Sequence, residues 1–128
     1  MLIPRVELVQ SHGKPYHVYQ IAISLQNNAW QVFRRFSQFA DLHARIRQLL
    51  PAHVAKHFPK KTLVGARDPE VVEMRRERLQ VYMRGVVAAL MQQPHSPLER
   101  NPTKQALCEA LPFLSPDYEA AEAHAKRR

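Results

Sequence analysis

Residues 68–92 constrain the fold more than any other stretch. Asp68 suits a helix N-cap, Pro69 the first helical position, and Glu70 the first turn, where the helix dipole favours a negative charge. Val72, Leu79, Tyr82, Val86 and Leu90 then recur at helical spacing before Pro94. This predicts one helix from Pro69 to about Gln92. Arg75 falls three residues after Val72 and four before Leu79, on the apolar stripe itself. An inward-facing arginine must snorkel, pair with an acid or point into a polar pocket. The basic pairs Arg34-Arg35 and Lys60-Lys61 have no acidic sequence neighbour, which favours the pocket.

Before this helix the period is different. A short apolar segment around Val6 and Leu8 stops at the turn cluster Ser11-His12-Gly13-Lys14-Pro15. Tyr16 to Leu25 alternate, with Tyr19, Ile21, Ile23 and Leu25 on one face. Gln26-Asn27-Asn28 offers a second turn, and Trp30, Val32 and Phe33 open a third strand running to Phe36. Short turns between consecutive strands favour an antiparallel meander. Ser37 is expected to cap a helix carrying Phe39, Leu42, Ile46, Leu49 and Leu50 up to Pro51. Residues 51–67 form a proline-containing loop with one turn near His53, and shorter helical pieces start at Ser96-Pro97 and Asn101-Pro102-Thr103, burying Leu107, Leu111 and Phe113. The fold class is α+β, a three-stranded antiparallel meander packed against a helical subdomain. Residues 1–114 are expected to form one domain and residues 115–128 a helical or fraying tail.

Charge narrows the function. The chain has 128 residues and a formal charge of +8. From Arg34 to Arg84 stand twelve basic against five acidic side chains, so most of the excess lies there. Such a domain seeks an anionic partner: nucleic acid, a phosphorylated ligand or a membrane surface. Met1-Leu2-Ile3-Pro4-Arg5 does not read as a leader, and no apolar run approaches a membrane span. The single cysteine, Cys108, fits a reducing compartment and a buried structural thiol. His53 and His57 have helical metal-ligand spacing but lack the glutamate of a His-Glu-x-x-His pattern. No nucleophile elbow or Gly-rich phosphate loop is present, so neither catalysis, a cofactor nor a metal is expected.

Arg34-Arg35-Phe36-Ser37-Gln38-Phe39 resembles the Arg-Arg-aromatic-x-x-Phe signature of the phox-homology (PX) domain. Phe58-Pro59-Lys60-Lys61 and Glu73-Met74-Arg75-Arg76-Glu77-Arg78-Leu79, with Tyr82-Met83 beyond, resemble that family's proline-loop lysine and arginine-bearing helix, in the same order. The resemblance implies a sorting-nexin-like, peripheral module of a larger trafficking protein. It would bind phosphatidylinositol 3-phosphate on the cytoplasmic face of endosomes. By motif position Arg35 would hold the 3-phosphate and Phe36 would lie beneath the inositol ring. Lys61 would take the 1-phosphate and Arg75 the 4- and 5-hydroxyls, with Arg34 and Lys60 as supporting cations. The paired lysines leave the 1-phosphate contact open between Lys60 and Lys61, with Lys61 preferred on alignment. A guanidinium fork grips phosphate bidentately where an ammonium acts as a point charge, which suits these assignments. Leu63 and Val64 would enter the lipid, with a place in the core as the alternative. The family's Pro-x-x-Pro run is absent, so no SH3-ligand role is expected.

Two other readings compete. One is a PX-like protein-interaction module with weak or non-selective anionic lipid binding, which brings in protein partners. The other is a basic nucleic-acid-binding domain, disfavoured because the cations sit at separate positions that a pocket explains.

Overall fold

The computed structural model describes residues 1–10, 13–26, 28–60, 68–94, 96, 98 and 102–118. Strands β1 (Leu2–Val9), β2 (Tyr16–Leu25) and β3 (Asn28–Arg35) form an antiparallel sheet in the order β1-β2-β3. Helices α1 (Phe36–Ile46), α2 (Ala52–Ala55), α3 (Pro69–Met91) and α4 (Lys104–Ala110) follow, with 3-10 turns at Arg47–Leu49 and Pro112–Leu114. The expected α+β meander is therefore present.

The sheet follows its alternation. Tyr19, Ile21 and Ile23 of β2 are buried with Val32 of β3 and Ile3 of β1, while Leu25 is only half-buried. Leu25 pairs with Asn28, so Asn28 belongs to β3 rather than to the turn, and Gln26 takes φ +49° to close the short connection. The turn residues Ser11, His12 and Asn27 lie outside the described residues.

Helix α3 runs from Pro69 to Met91 as its spacing predicts. Asp68 sits at the N-cap position, yet its side chain makes no capping bond; its carbonyl accepts from the Val72 amide at 3.0 Å. Leu79, Tyr82 and Val86 are buried, joined by Met83 from beside the stripe. Side chains of α3 also close the start of β1. The Ile3 amide donates to Gln80 Oε1 at 2.8 Å, Arg76 Nη1 donates to the Ile3 carbonyl at 2.7 Å, and Arg84 Nε to the Met1 carbonyl at 2.8 Å. An edge strand otherwise presents these groups to any passing chain.

Two boundaries differ from expectation. Helix α1 starts at Phe36, with Arg35 rather than Ser37 at the N-cap, and the Arg35 amide donates to Gln38 Oε1 at 2.8 Å. Strand and helix thus meet without a loop, and Gln38 reaches back to the N-cap amide of Arg35. The other end stops at Ile46, and Leu49 is 74% exposed in the 3-10 turn instead of packed. Leu50 precedes Pro51 and is extended at φ −93°, ψ 147°, because the proline ring disfavours helical geometry in the residue before it.

At the C-terminal end Thr103 caps α4, its hydroxyl accepting from the Ala106 amide at 3.1 Å. Leu98, Leu107, Leu111, Phe113 and Leu114 complete the core. Cys108 is half-buried rather than fully buried, and burial pushes its thiol pKa up. Pro97, Asn101 and the tail from residue 119 lie outside the described residues.

Candidate functional site

Where β3 passes directly into α1, Arg35, Phe36 and Ser37 come to the rim of a cavity of about 210 Å³. Its other walls are Pro15, Tyr16, His17 and Tyr19 of the β2 end and Arg75 of α3. The sequence predicted Arg35, Phe36 and Arg75 for one site, and the fold brings these three together.

Each arginine rests on an aromatic ring. Val18 stands opposite Arg35, so Tyr16, two residues along β2, shares its face of the sheet. Arg35 Cζ lies 3.9 Å from the Tyr16 ring centre, and Arg75 Cζ lies 4.1 Å from that of Phe36. Phe36 also stacks on Phe58 at 5.8 Å, and Phe58 stacks on His43 at 4.2 Å with the rings 4° from parallel. Tyr82 meets Phe58 edge-on, and its hydroxyl lies 2.9 Å from His43 Nδ1. Burial, and then Arg47, hold the His43 pKa below its ordinary value, and burial raises that of Tyr82. A neutral imidazole lets Nδ1 accept the Tyr82 proton. This aromatic stack supports the cavity floor from below.

Arg75 is 7% exposed, and its Nε is buried with no hydrogen-bond partner among the described residues. A buried guanidinium with an unused N–H is costly unless something enters to accept it. Tyr19 lines the same cavity; burial raises its pKa while the charge of Arg75 pulls it down.

Arg34 is not part of this cluster, which corrects its expected supporting role. It is 2% exposed and lies opposite Tyr19 on the core face of the sheet. Its Nε donates to the Phe113 carbonyl at 2.9 Å, Nη2 to that of Ser115 at 2.7 Å and Nη1 to that of Phe33 at 2.7 Å. Its guanidinium also lies over the rings of Phe113 and Tyr118. Consecutive strand residues face opposite ways, so the pair divides between core and cavity. Lys60 is exposed two residues beyond Phe58 and is not among the cavity-lining residues. Lys61, Leu63 and Val64 lie outside the described residues.

Sequence reasoning missed Tyr16, His17, Tyr19 and Ser37 as cavity residues. Tyr19 reads as core from its alternation, and the position of Tyr16 beside the Gly13-Lys14-Pro15 turn was its only signal.

The family model described as PX domain matches residues 24–101, more than half of the chain. The chain belongs to the PX domain family. It is 35% identical over 118 residues to kinesin-like protein KIF16B of Mus musculus, an alignment covering 88% of this chain and 9% of that protein. It is 31% identical over 85 residues to sorting nexin-13 of Homo sapiens, covering 62% of this chain and 9% of that protein. The chain therefore spans about a tenth of the length of these relatives. Among solved structures, a designed CISK-PX domain superposes with a TM-score of 0.61 at 25% identity, covering 89% of this chain and 96% of the other. PX domains are phosphoinositide-binding, membrane-targeting modules and not catalysts. Among the described residues no helix of this PX domain is long and apolar enough to cross a membrane.

Proposed function

We propose that this PX domain reads phosphatidylinositol 3-phosphate on the cytoplasmic face of endosomes and thereby recruits a larger trafficking or sorting protein. The observation that carries the reading is Arg75, buried against the cavity shared with Arg35 and with an N–H that no described residue accepts. Such a donor suits a neutral hydroxyl as well as an anion, whereas Arg35, exposed at the rim, suits an incoming phosphate. The first turn of α1 adds backbone amides beside Arg35, which also favour an anion.

In this reading Arg35 grips the 3-phosphate and Phe36 lies beneath the inositol ring, sharing its face with Arg75. Arg75 donates to the 4- and 5-hydroxyls, so a phosphate at either position crowds the cavity and selectivity follows. Lys61, or its neighbour Lys60, takes the 1-phosphate, and Leu63 and Val64 enter the lipid. The unit that does this is residues 1–114, with Ser115 and Tyr118 packed back onto it through Arg34.

Co-sedimentation with vesicles carrying each phosphoinositide in turn, with Arg35→Ala alongside, tests the reading. The expected result is selective binding to the 3-phosphate lipid, lost in a variant that keeps its folded spectrum. Equal binding to every anionic vesicle, unchanged by the substitution, would overturn it and leave general electrostatics or a protein-interaction module.

A further inference from the structure

Tyr19 stands where the core meets the cavity. It is 1% exposed, and its ring packs edge-on against Phe39 at 5.9 Å. Strand alternation explains the buried ring, which lies with Ile21 and Ile23, but a phenylalanine would satisfy that need equally well. The hydroxyl requires a separate account, because a buried O–H needs a partner. It lines the same cavity as Arg75, the other buried polar side chain there. Tyr19 also lies outside residues 24–101, the part of the chain matched to the family.

Arg75 needs such a neighbour. A ring face fixes the plane of a guanidinium stacked on it but leaves the group free to rotate within that plane. Phe36, with Arg75 Cζ 4.1 Å above it, supplies the plane alone. We propose that Tyr19 is the positioning residue of this site: its hydroxyl accepts one N–H of Arg75 and fixes the in-plane direction of the fork, so that Nε points at the ligand. This rests on the reading of the cavity as a head-group site. The hydroxyl keeps its own proton, which remains available to donate toward the cavity. Burial, which raises the phenol pKa, secures that protonated state at neutral pH.

The test uses the 128-residue chain, the substitution Tyr19→Phe, and the same substitution in an Arg75→Ala background. Binding is read on vesicles of phosphatidylcholine with 3-phosphate lipid, and the Arg75 Nε resonance is read by NMR without lipid. Tyr19→Phe is expected to weaken vesicle binding about tenfold, as loss of a hydrogen bond to a charged group should. It should cause no further loss once Arg75 is alanine, since a residue acting through another has nothing left to position. The Nε resonance should move. An equal loss in both backgrounds, or unchanged binding with an unmoved resonance, would overturn the proposal. If the parent chain binds all anionic vesicles alike, the head-group reading falls and the lipid-free resonance alone decides: moved upholds the positioning role, unmoved ends it. Should Tyr19→Phe unfold, the Tyr19 ring Cζ resonance in Arg75→Ala serves instead, a shift upholding the contact and no change overturning it.

Discussion

Arg34 and Arg35 are the same side chain one residue apart, and the pleat of β3 sends them to different tasks. The sequence carried the distinction: Arg34 shares parity with Trp30 and Val32, which face the core, but a run of two arginines reads more readily as one basic cluster. Arg34→Met keeps much of the apolar stem and removes the donors to the Phe113 and Ser115 carbonyls. It should destabilise the fold by about 3 kcal/mol, measured by urea denaturation, since buried carbonyls lose charged donors. Arg35→Ala, exposed at the rim, should leave the urea midpoint nearly unchanged. His43 gives a pH signature. Its folded pKa lies below 6.5, so the folded chain binds fewer protons than the unfolded one. Its contribution is complete above pH 6.5 and is lost as pH falls from there through the lowered folded pKa. A melting series across that window should show this decline, and His43→Gln should flatten it.

Helix α2 is only four residues long, and its seat is a glycine. A Cβ built on Gly85 would lie 2.8 Å from Val54 Cγ1 and 3.1 Å from Cγ2, so α2 rests directly on the α3 backbone. In an exposed helix, glycine to alanine gains about 1 kcal/mol. Here the overlap meets a stiff β-branched side chain and should cost about 1–3 kcal/mol. Gly85→Ala should therefore lower the melting temperature, and adding Val54→Ala should relieve part of that clash. Elements were the most legible scale. The extent of α3 and the order of strands and helices follow from period, Pro69 and Pro94. Arg75 was legible for the same reason, being a charge placed where the period demands an apolar group. The end of α1 was not, because Ile46, Leu49 and Leu50 keep helical spacing while Pro51 already bends the backbone ahead of them. Nor was the cavity wall, since Tyr16 and Tyr19 acquire polar partners only when β2, β3 and α3 are assembled.

Across the whole molecule the charge of +8 acts apart from the cavity. Anionic vesicles lacking phosphoinositide should still attract the chain at low salt. This background should vanish near 1 M salt, where the screening length falls to about 3 Å. Binding through the cavity should survive longer, so the ratio of specific to background binding should rise with salt in a sedimentation series. Arg34 fastens the segment from Phe113 to Tyr118 onto β3, immediately beside the residue at the rim of the cavity. A pull on the chain from beyond Tyr118 would load those carbonyl bonds before it reached the sheet. The residue that holds this segment and the residue at the cavity rim are thus one peptide bond apart, and tension on the first is felt at the root of the second.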